Sequence, residues 1–322
     1  MFKKYKRKIF FAVISGALIF LAFSVYADFN NLISAFGKFN WIWMPVILAL
    51  SFCNYIFRFF KWHYYTKILK IEVRFKSSFL IFLSSFTMSV TPGKMGELLK
   101  SYLLKEETGT PVAKSAPIIF AERITDFISI VILCLLGALV FDYGKIIIIT
   151  IGIIFILIVI LLSIRSFSLK LISVLCKIKI IAKHSEKLFT AYESIYQLIR
   201  IKPLIYSTFI SLISWFFECL GFYIVLSVFS LNFPEISVSL LTATFIYGFS
   251  TLIGAIAMLP GGLGATEATI TGLLVYLKIP KDISVASTIL IRVATLWFAV
   301  LIGIIFLYIY QKHLSCKIEE IS

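Results

Sequence analysis

The chain has 322 residues, of which 60% are hydrophobic, and its mean hydropathy is +1.00. No soluble fold needs so much apolar sequence, so the composition predicts an all-α polytopic membrane protein and excludes a separate soluble domain. The formal net charge of +15 would indicate nucleic-acid binding in a soluble protein. In a membrane protein, basic cytoplasmic segments and contact with anionic lipid explain this charge more simply, and we expect no nucleic-acid partner.

The first apolar segment, residues 9–26, follows a strongly basic start at residues 3–8. It is longer than the core of a usual signal peptide, so we interpret it as a retained first span. Five further segments have the length and hydropathy of full spans. They are residues 40–60, 114–141, 145–164, 204–230 and 283–310.

Two other apolar stretches, residues 77–104 and 238–278, contain Pro-Gly-x-x-Gly interruptions. These read Thr91-Pro-Gly-Lys-Met-Gly-Glu97 and Leu259-Pro-Gly-Gly-Leu-Gly-Ala-Thr-Glu267. Proline removes a backbone donor, and glycine permits turns that other residues resist. Broken backbone at membrane depth is tolerated only where it faces protein or a wet cavity. We therefore expect two re-entrant hairpins whose tips form one site.

The basic residues predict the orientation of these spans. Of the 31 Lys and Arg residues, 25 lie in the segments assigned to the cytoplasm, which are residues 1–8, 58–76, 94–114, 165–203 and 312–317. Four lie in segments assigned to the outside, and Arg123 and Arg292 remain inside spans. This asymmetry places both termini in the cytoplasm of a multi-pass cell-membrane protein. Residues 165–203 read as a basic amphipathic linker on the cytoplasmic leaflet, which either fixes the topology or recruits anionic lipid.

The cysteines and histidines indicate no metal site. The five cysteines form no Cys-x-x-Cys pair, and the three histidines are isolated among basic residues. Such spacing predicts neither a disulfide framework nor a zinc site. We expect no cofactor.

The predicted elements divide a single membrane domain, residues 1–322, into halves at about residues 1–141 and 145–310. Each half contains two spans, a hairpin and a span, and the halves start on opposite sides of the membrane. Pro92 and Pro260 are 168 residues apart, and Arg123 and Arg292 are 169 apart. This agreement predicts an inverted-topology repeat, a plan that transporters use with the site near the midplane.

Charged residues in these apolar stretches are candidates for function, because charge in a membrane needs a partner or a role. Glu122 and Asp126 share a helix face, while Arg123 points about 100° away. The helices that begin after the two breaks offer N-termini that suit phosphate. The full set is Arg58, Lys94, Glu97, Lys100, Glu122, Arg123, Asp126, Glu218, Glu267 and Arg292.

Structural roles are open for the same residues. Glu97 and Glu267 would also complement their own helix starts. Glu122 and Asp126 would also neutralise an arginine, and Glu218 would form a buried structural ion pair with Arg58. Acids and bases in one site would allow proton coupling, although nothing in the sequence requires it.

Three motifs, in order, resemble an integral-membrane family that contains the flippase domain of lysylphosphatidylglycerol synthases. That family also includes membrane regions attached to archaeal glycosyltransferases and stand-alone proteins. The motifs begin at Thr91, at Ala121-Glu-Arg-Ile-Thr-Asp126 and at Leu259, and the resemblance spans nearly the whole chain. It implies movement of a lipid between leaflets.

The resemblance assigns site residues in each motif. Those of the first hairpin are Pro92, Gly93, Gly96, Glu97 and Lys100; those of the charged span are Glu122, Arg123 and Asp126; those of the second hairpin are Pro260, Gly261, Gly262, Gly264 and Glu267. Lys94 occupies a position that is often small or variable in relatives. We expect no aminoacyl-transfer domain after residue 310, so the lipid need not be lysylated.

Our leading hypothesis is a flippase or exporter for a phosphate-containing lipid: an anionic or aminoacylated phospholipid, or a polyprenyl-phosphate carrier. Lys94, Arg123 and Arg292 would contact the headgroup. The alternatives are a membrane transferase or phosphatase, and a non-transporting subunit of a separate synthase or glycosyltransferase. The sequence shows no nucleotide-binding loop and no nucleophile–base arrangement, which disfavours the enzyme. It predicts no oligomeric state.

Overall fold

The computed structural model describes residues 29–91, 96–140, 145–175, 185–231 and 238–319, and the regular structure in these ranges is helical, without strands. The helices are α1 Phe29–Lys38, α2 Met44–Ile68, α3 Phe75–Ser84, α4 Leu99–Thr108, α5 Val112–Gly137, α6 Lys145–Ser163, α7 Arg165–Leu175, α8 Ser185–Leu198, α9 Ile201–Ser230, α10 Leu240–Ile256, α11 Ala265–Tyr276, α12 Lys281–Arg292 and α13 Phe298–Glu319. Short 3₁₀ turns lie at Trp41–Trp43, Ser85–Met88 and Pro260–Gly262, and a π-helical turn lies at Val293–Trp297.

Three helical stretches in the described ranges are long and apolar enough to cross a membrane. They are Trp41–Ile68, Ile201–Ser230 and Lys281–Lys312. Each overlaps one of the predicted spans, which supports a multi-pass membrane protein. The first predicted span, residues 9–26, lies outside the described residues. The total number of crossings stays a prediction.

Local sequence explains where several helices begin and end. Pro45 lies in the first turn of α2, where the missing N–H costs nothing. Pro111 directly precedes α5 in the extended conformation that starts a helix. Gly109 ends α4 with a φ of 71°, a conformation that glycine adopts without a steric penalty.

Both interrupted stretches are pairs of short helices, as the Pro-Gly segments predict. In the first, α3 continues as the 3₁₀ turn Ser85–Met88, and α4 begins at Leu99. In the second, α10 ends at Ile256 and α11 begins at Ala265. The two helices of each pair pack against each other. The breaks are therefore confirmed, and entry and exit on one membrane side stays a prediction.

The core has two main parts. The larger lies among α5, α9, α10 and α12, and the second lies among α2, α3, α4 and α13. The last helix therefore returns to the first broken segment. Gly303 of α13 permits this approach, because a Cβ there would lie 2.5 Å from the carbonyl carbon of Phe86.

The predicted amphipathic linker, residues 165–203, contains α7 and α8. Helix α8 packs against α5 and buries Tyr192, Ser194 and Leu198. Its apolar face is thus covered by protein at these positions. Recruitment of anionic lipid by the linker stays a prediction.

Candidate functional site

The first charged cluster joins the first break to α5. Nη2 of Arg123 lies 3.1 Å from Oε2 of Glu97 and 3.1 Å from Oδ2 of Asp126. Glu97 lies just before α4, whereas Arg123 and Asp126 lie one helical turn apart on α5. One guanidinium therefore connects the broken segment to the charged span that the sequence singled out.

The partner of Glu122 is a lysine, whereas the sequence suggested an arginine. Lys100 donates a hydrogen bond to Glu122, and its Nζ lies 3.8 Å from Oε2 of Glu97. The ammonium also lies 4.8 Å from the ring centroid of Trp62, within the range of a cation–π contact. Lys100 is buried, and a buried charge requires such partners, which these neighbours supply.

Lys61 belongs to the same cluster, although the sequence placed it in a cytoplasmic loop. Its Nζ donates to Oδ1 of Asp126 at 2.5 Å and to Oγ of Ser211 at 2.6 Å. The residue has no exposed surface. One signal was available: Lys61 lies three residues after Arg58 in an aromatic run, a spacing that puts both cations on one helix face.

Three of the basic residues that were assigned to the cytoplasmic side lie inside the helical bundle or at its cavity. Arg58, Lys61 and Lys100 were counted as cytoplasmic, but Lys61 and Lys100 are buried and the Arg58 side chain is only 12% exposed. The remaining basic residues still favour the same side. Cytoplasmic termini stay a prediction.

The second charged cluster holds the second break. Nε of Arg292 donates to Oε1 of Glu267 at 2.6 Å, and Nη2 donates to the carbonyl of Gly261 at 2.7 Å. The other oxygen of Glu267 accepts from the N–H of Gly264 at 2.7 Å, at the start of α11. Glu267 therefore both caps its own helix and pairs with the arginine.

Glycine is needed at the turns of this break. Gly261, Gly262 and Gly264 have φ angles of 63°, 69° and 88°. Other residues resist such left-handed angles. Pro260 starts the 3₁₀ turn that contains the first two. The motif therefore builds a tight turn that presents a backbone carbonyl to Arg292.

In the first break, Gly96 lies in the described part and donates its N–H to Oγ1 of Thr91 at 2.7 Å. A Cβ at this glycine would overlap Met88, so a larger residue does not fit. Pro92, Gly93 and Lys94 lie outside the described residues. Their predicted contact with the headgroup stays a prediction.

The two clusters share one arrangement. Arg123 pairs with Glu97, 26 residues earlier, and Arg292 pairs with Glu267, 25 residues earlier. In each case an arginine of a long helix binds the glutamate that follows the preceding Pro-Gly break. An inverted repeat would place one such pair in each half, and the repeat itself stays a prediction.

Residues of both clusters line the same cavity of about 480 Å³: Glu97, Arg123 and Asp126 of the first cluster, and Gly261 and Arg292 of the second. The cavity wall combines three arginines, three carboxylates and a larger apolar and aromatic surface. Its polar and aromatic lining includes Tyr55, Arg58, Phe86, Glu97, Arg123, Asp126, Trp215, Glu218, Tyr247, Gly261, Gly262, Arg292 and Thr295. The two breaks therefore meet at one chamber.

Arg58 and Glu218, predicted as an ion pair, both line this cavity. Nη2 of Arg58 lies 3.9 Å from Oε1 of Glu97, and Glu218 accepts a hydrogen bond from the hydroxyl of Tyr247 at 2.7 Å. The pairing of Arg58 with Glu218 stays a prediction. In the described ranges, His, Cys, Asp and Glu side chains form no group of three that could hold a metal.

Comparisons with known proteins place the chain in a family. Residues 9–303 match the family described as the lysylphosphatidylglycerol synthase TM region. A UPF0104 membrane protein of Methanocaldococcus jannaschii is 27% identical over 71% of this chain and 96% of its own length. One from Methanothermobacter thermautotrophicus is 26% identical over 96% of this chain and 95% of its own length, and one from Pyrococcus horikoshii is 25% identical over 76% and 79%. The chain belongs to the lysylphosphatidylglycerol synthase transmembrane-region family.

Proposed function

We propose that the protein moves a phosphate-containing lipid between the leaflets of a cell membrane. The observation that carries this proposal is the cavity at which both Pro-Gly breaks meet. It places Arg58, Arg123 and Arg292 around one space inside a membrane protein. Guanidinium groups bind phosphate through charge-assisted hydrogen bonds, which are stronger than neutral ones.

The remainder of the wall suits the lipid part of such a ligand. A volume of about 480 Å³ falls within the usual size of a small-molecule site. Exposed apolar side chains, including Met258 and Leu259, also line the cavity. The headgroup would enter the chamber while the acyl or prenyl chains stay in the bilayer.

The proposed mechanism is alternating exposure of the headgroup site. The halves, residues 1–141 and 145–310, would be inverted repeats that rock about the cavity, with both termini in the cytoplasm. The paired contacts Arg123–Glu97 and Arg292–Glu267 support this arrangement. Each break is tied to one long helix, so movement of that helix would carry the break with it.

Family membership supports a lipid as the cargo, because the family is described by a lipid synthase. The candidates are an anionic or aminoacylated phospholipid and a polyprenyl-phosphate carrier. A separate synthase or glycosyltransferase would supply or use this lipid. The cavity chemistry common to these candidates is recognition of a phosphate.

The experiment is a leaflet-exchange assay in vesicles reconstituted with purified protein. Labelled phosphatidylglycerol in the inner leaflet should become accessible to an external quencher faster than in protein-free vesicles. A folded variant with both Arg123→Ala and Arg292→Ala should exchange the lipid more slowly than the wild type. Lys67→Gln, which changes an exposed charge on α2, should exchange the lipid at the wild-type rate.

Equal exchange by the double variant would reject the proposed site. Exchange no faster than in protein-free vesicles, with each candidate lipid, would reject the flippase. Mass spectrometry of the recovered lipid would detect a chemically altered product, which would instead favour an enzyme.

A further inference from the structure

We propose that Arg58 is the cavity residue that binds the phosphate group of the ligand. The sequence interpretation gave this residue a structural role, and headgroup contact was assigned to other cations. The identity of the ligand rests on the proposed function. The assignment of Arg58 rests on how far each cavity arginine is already engaged by the protein.

Arg292 has little capacity left for a ligand. Its Nε is 2.6 Å from Glu267 and its Nη2 is 2.7 Å from the Gly261 carbonyl, so two sides of the guanidinium are occupied. A phosphate would have to displace a carboxylate or release the second break. Arg292 is therefore a positioning residue that holds the Pro-Gly-Gly turn.

Arg123 is partly engaged. It bridges Glu97 and Asp126 at 3.1 Å each, and its side chain is 27% exposed. Its position between two carboxylates lowers its attraction for an anion, because each carboxylate repels the incoming charge. It would assist a phosphate at the edge of the cluster.

Arg58 is the least engaged of the three arginines. Among the described residues, its one ion pair within 4.0 Å is with Glu97, at 3.9 Å, and its guanidinium carbon lies 5.5 Å from the ring centroid of Phe86. It also lies within electrostatic range of Asp126, although no hydrogen bond joins the two side chains. A guanidinium has five N–H donors in one plane. A cation–π contact with the ring uses none of these N–H donors, so they stay available for two phosphate oxygens.

The surroundings of Arg58 also fix its direction. Tyr55, one turn earlier on α2, lines the same cavity and donates its hydroxyl to the carbonyl of Thr295 at 2.8 Å. Asn54 of the same turn donates to the carbonyl of Ser214 at 2.8 Å. These bonds hold α2 against two neighbouring elements, so Arg58 is presented from a rigid surface.

The test is a binding measurement that does not depend on transport. Purified protein in detergent is titrated with dioctanoyl phosphatidylglycerol and, as the matched ligand without phosphate, with dioctanoylglycerol. Arg58→Gln should weaken phosphatidylglycerol binding by about 10- to 100-fold. It should leave dioctanoylglycerol binding unchanged, and Lys67→Gln should change neither.

Phosphatidylglycerol affinity of Arg58→Gln within twofold of the wild type would overturn the assignment, as would an equal loss in Lys67→Gln. If the wild type does not speed leaflet exchange but Arg58→Gln binds phosphatidylglycerol more weakly than the wild type, the proposed function is rejected and the assignment of Arg58 is kept. If the wild type speeds leaflet exchange but Arg58→Gln binds phosphatidylglycerol as tightly as the wild type, the function is kept and the assignment is rejected.

A second measurement uses the wild type in case Arg58→Gln does not fold. Phenylglyoxal modifies accessible arginines, and peptide mass spectrometry locates the product. Dioctanoyl phosphatidylglycerol should protect Arg58, and dioctanoylglycerol should not. Equal modification with both lipids, or no modification of Arg58 in the lipid-free protein, would contradict the proposal.

Discussion

Lys61 of α2 and Asp126 of α5 form an ion pair inside the helical bundle, with Nζ 2.5 Å from Oδ1. Ser211 of α9 accepts a second hydrogen bond from the same ammonium at 2.6 Å. A single side chain thus connects three long helices behind the cavity. Its removal is the sharpest test of what holds the charged cluster in place.

Lys61→Met should destabilise the protein by about 1.5–3 kcal/mol, because Asp126 loses a charged hydrogen-bond partner although it keeps Arg123 and Ser211. The measurement is denaturant unfolding in detergent. Lys67→Met, on the exposed side of the same helix, should change stability by less than about 0.5 kcal/mol. Equal stability of the two variants would show that the ion pair contributes nothing.

The contact between α13 and the first broken segment depends on Gly303. Gly303→Ala should cost about 1–3 kcal/mol, because the added Cβ would meet the backbone of Phe86 and Thr87. Gly272→Ala, in α11, meets nothing within 4 Å and should be neutral or stabilising by about 0.5–1 kcal/mol. The measurement is the thermal unfolding midpoint of both variants. A wild-type midpoint for Gly303→Ala would refute the close contact between α13 and the Phe86–Thr87 backbone.

Tyr247 donates a hydrogen bond to Glu218 at the cavity wall. Tyr247→Phe removes only this hydroxyl and should cost about 0.5–1.5 kcal/mol, the range for an intramolecular hydrogen bond. Tyr308→Phe, at an exposed position on α13, is the matched control and should be neutral. If both variants have the unfolding free energy of the wild type, the hydrogen bond between Tyr247 and Glu218 does not contribute to stability.

Arg292 makes two bonds with different nitrogens, which a lysine cannot reproduce. Arg292→Lys should therefore lose about 1.5–3 kcal/mol of stability although its charge is kept. Arg74→Lys, an exposed position before α3, provides the control for the same chemical change. If Arg292→Lys unfolds at the wild-type midpoint, the positive charge at this position is sufficient to stabilise the second break, without the two hydrogen bonds of the guanidinium.

The two breaks could be predicted because proline and glycine act on their own backbone. The role of Lys61 could not, because it depends on Asp126, 65 residues later in the chain. Hydropathy ended the second span at residue 60, directly before Lys61, whereas α2 continues to Ile68. Pairing across helices overrides the local cost of a buried charge.

The same limit applies to the cavity. The sequence identified Arg123, Arg292 and the glutamates near the breaks, because charge in apolar sequence is visible residue by residue. It did not identify Tyr247 or Trp215, since aromatic residues in a hydrophobic run carry no local sign of a cavity. Their positions on the wall follow only from the packing of α9 and α10.

The π-helical turn Val293–Trp297 separates α12 from α13 within the last long helical stretch. On one side, α12 packs against α9 and α11 and ends at Arg292; on the other, α13 packs against α3 and the Ser85–Met88 turn. A π-helical turn departs from the regular hydrogen-bond pattern of an α-helix, so we expect a displacement of the second break relative to the first to be absorbed in these five residues. The turn also borders the cavity, so bending there would change the shape of the chamber itself.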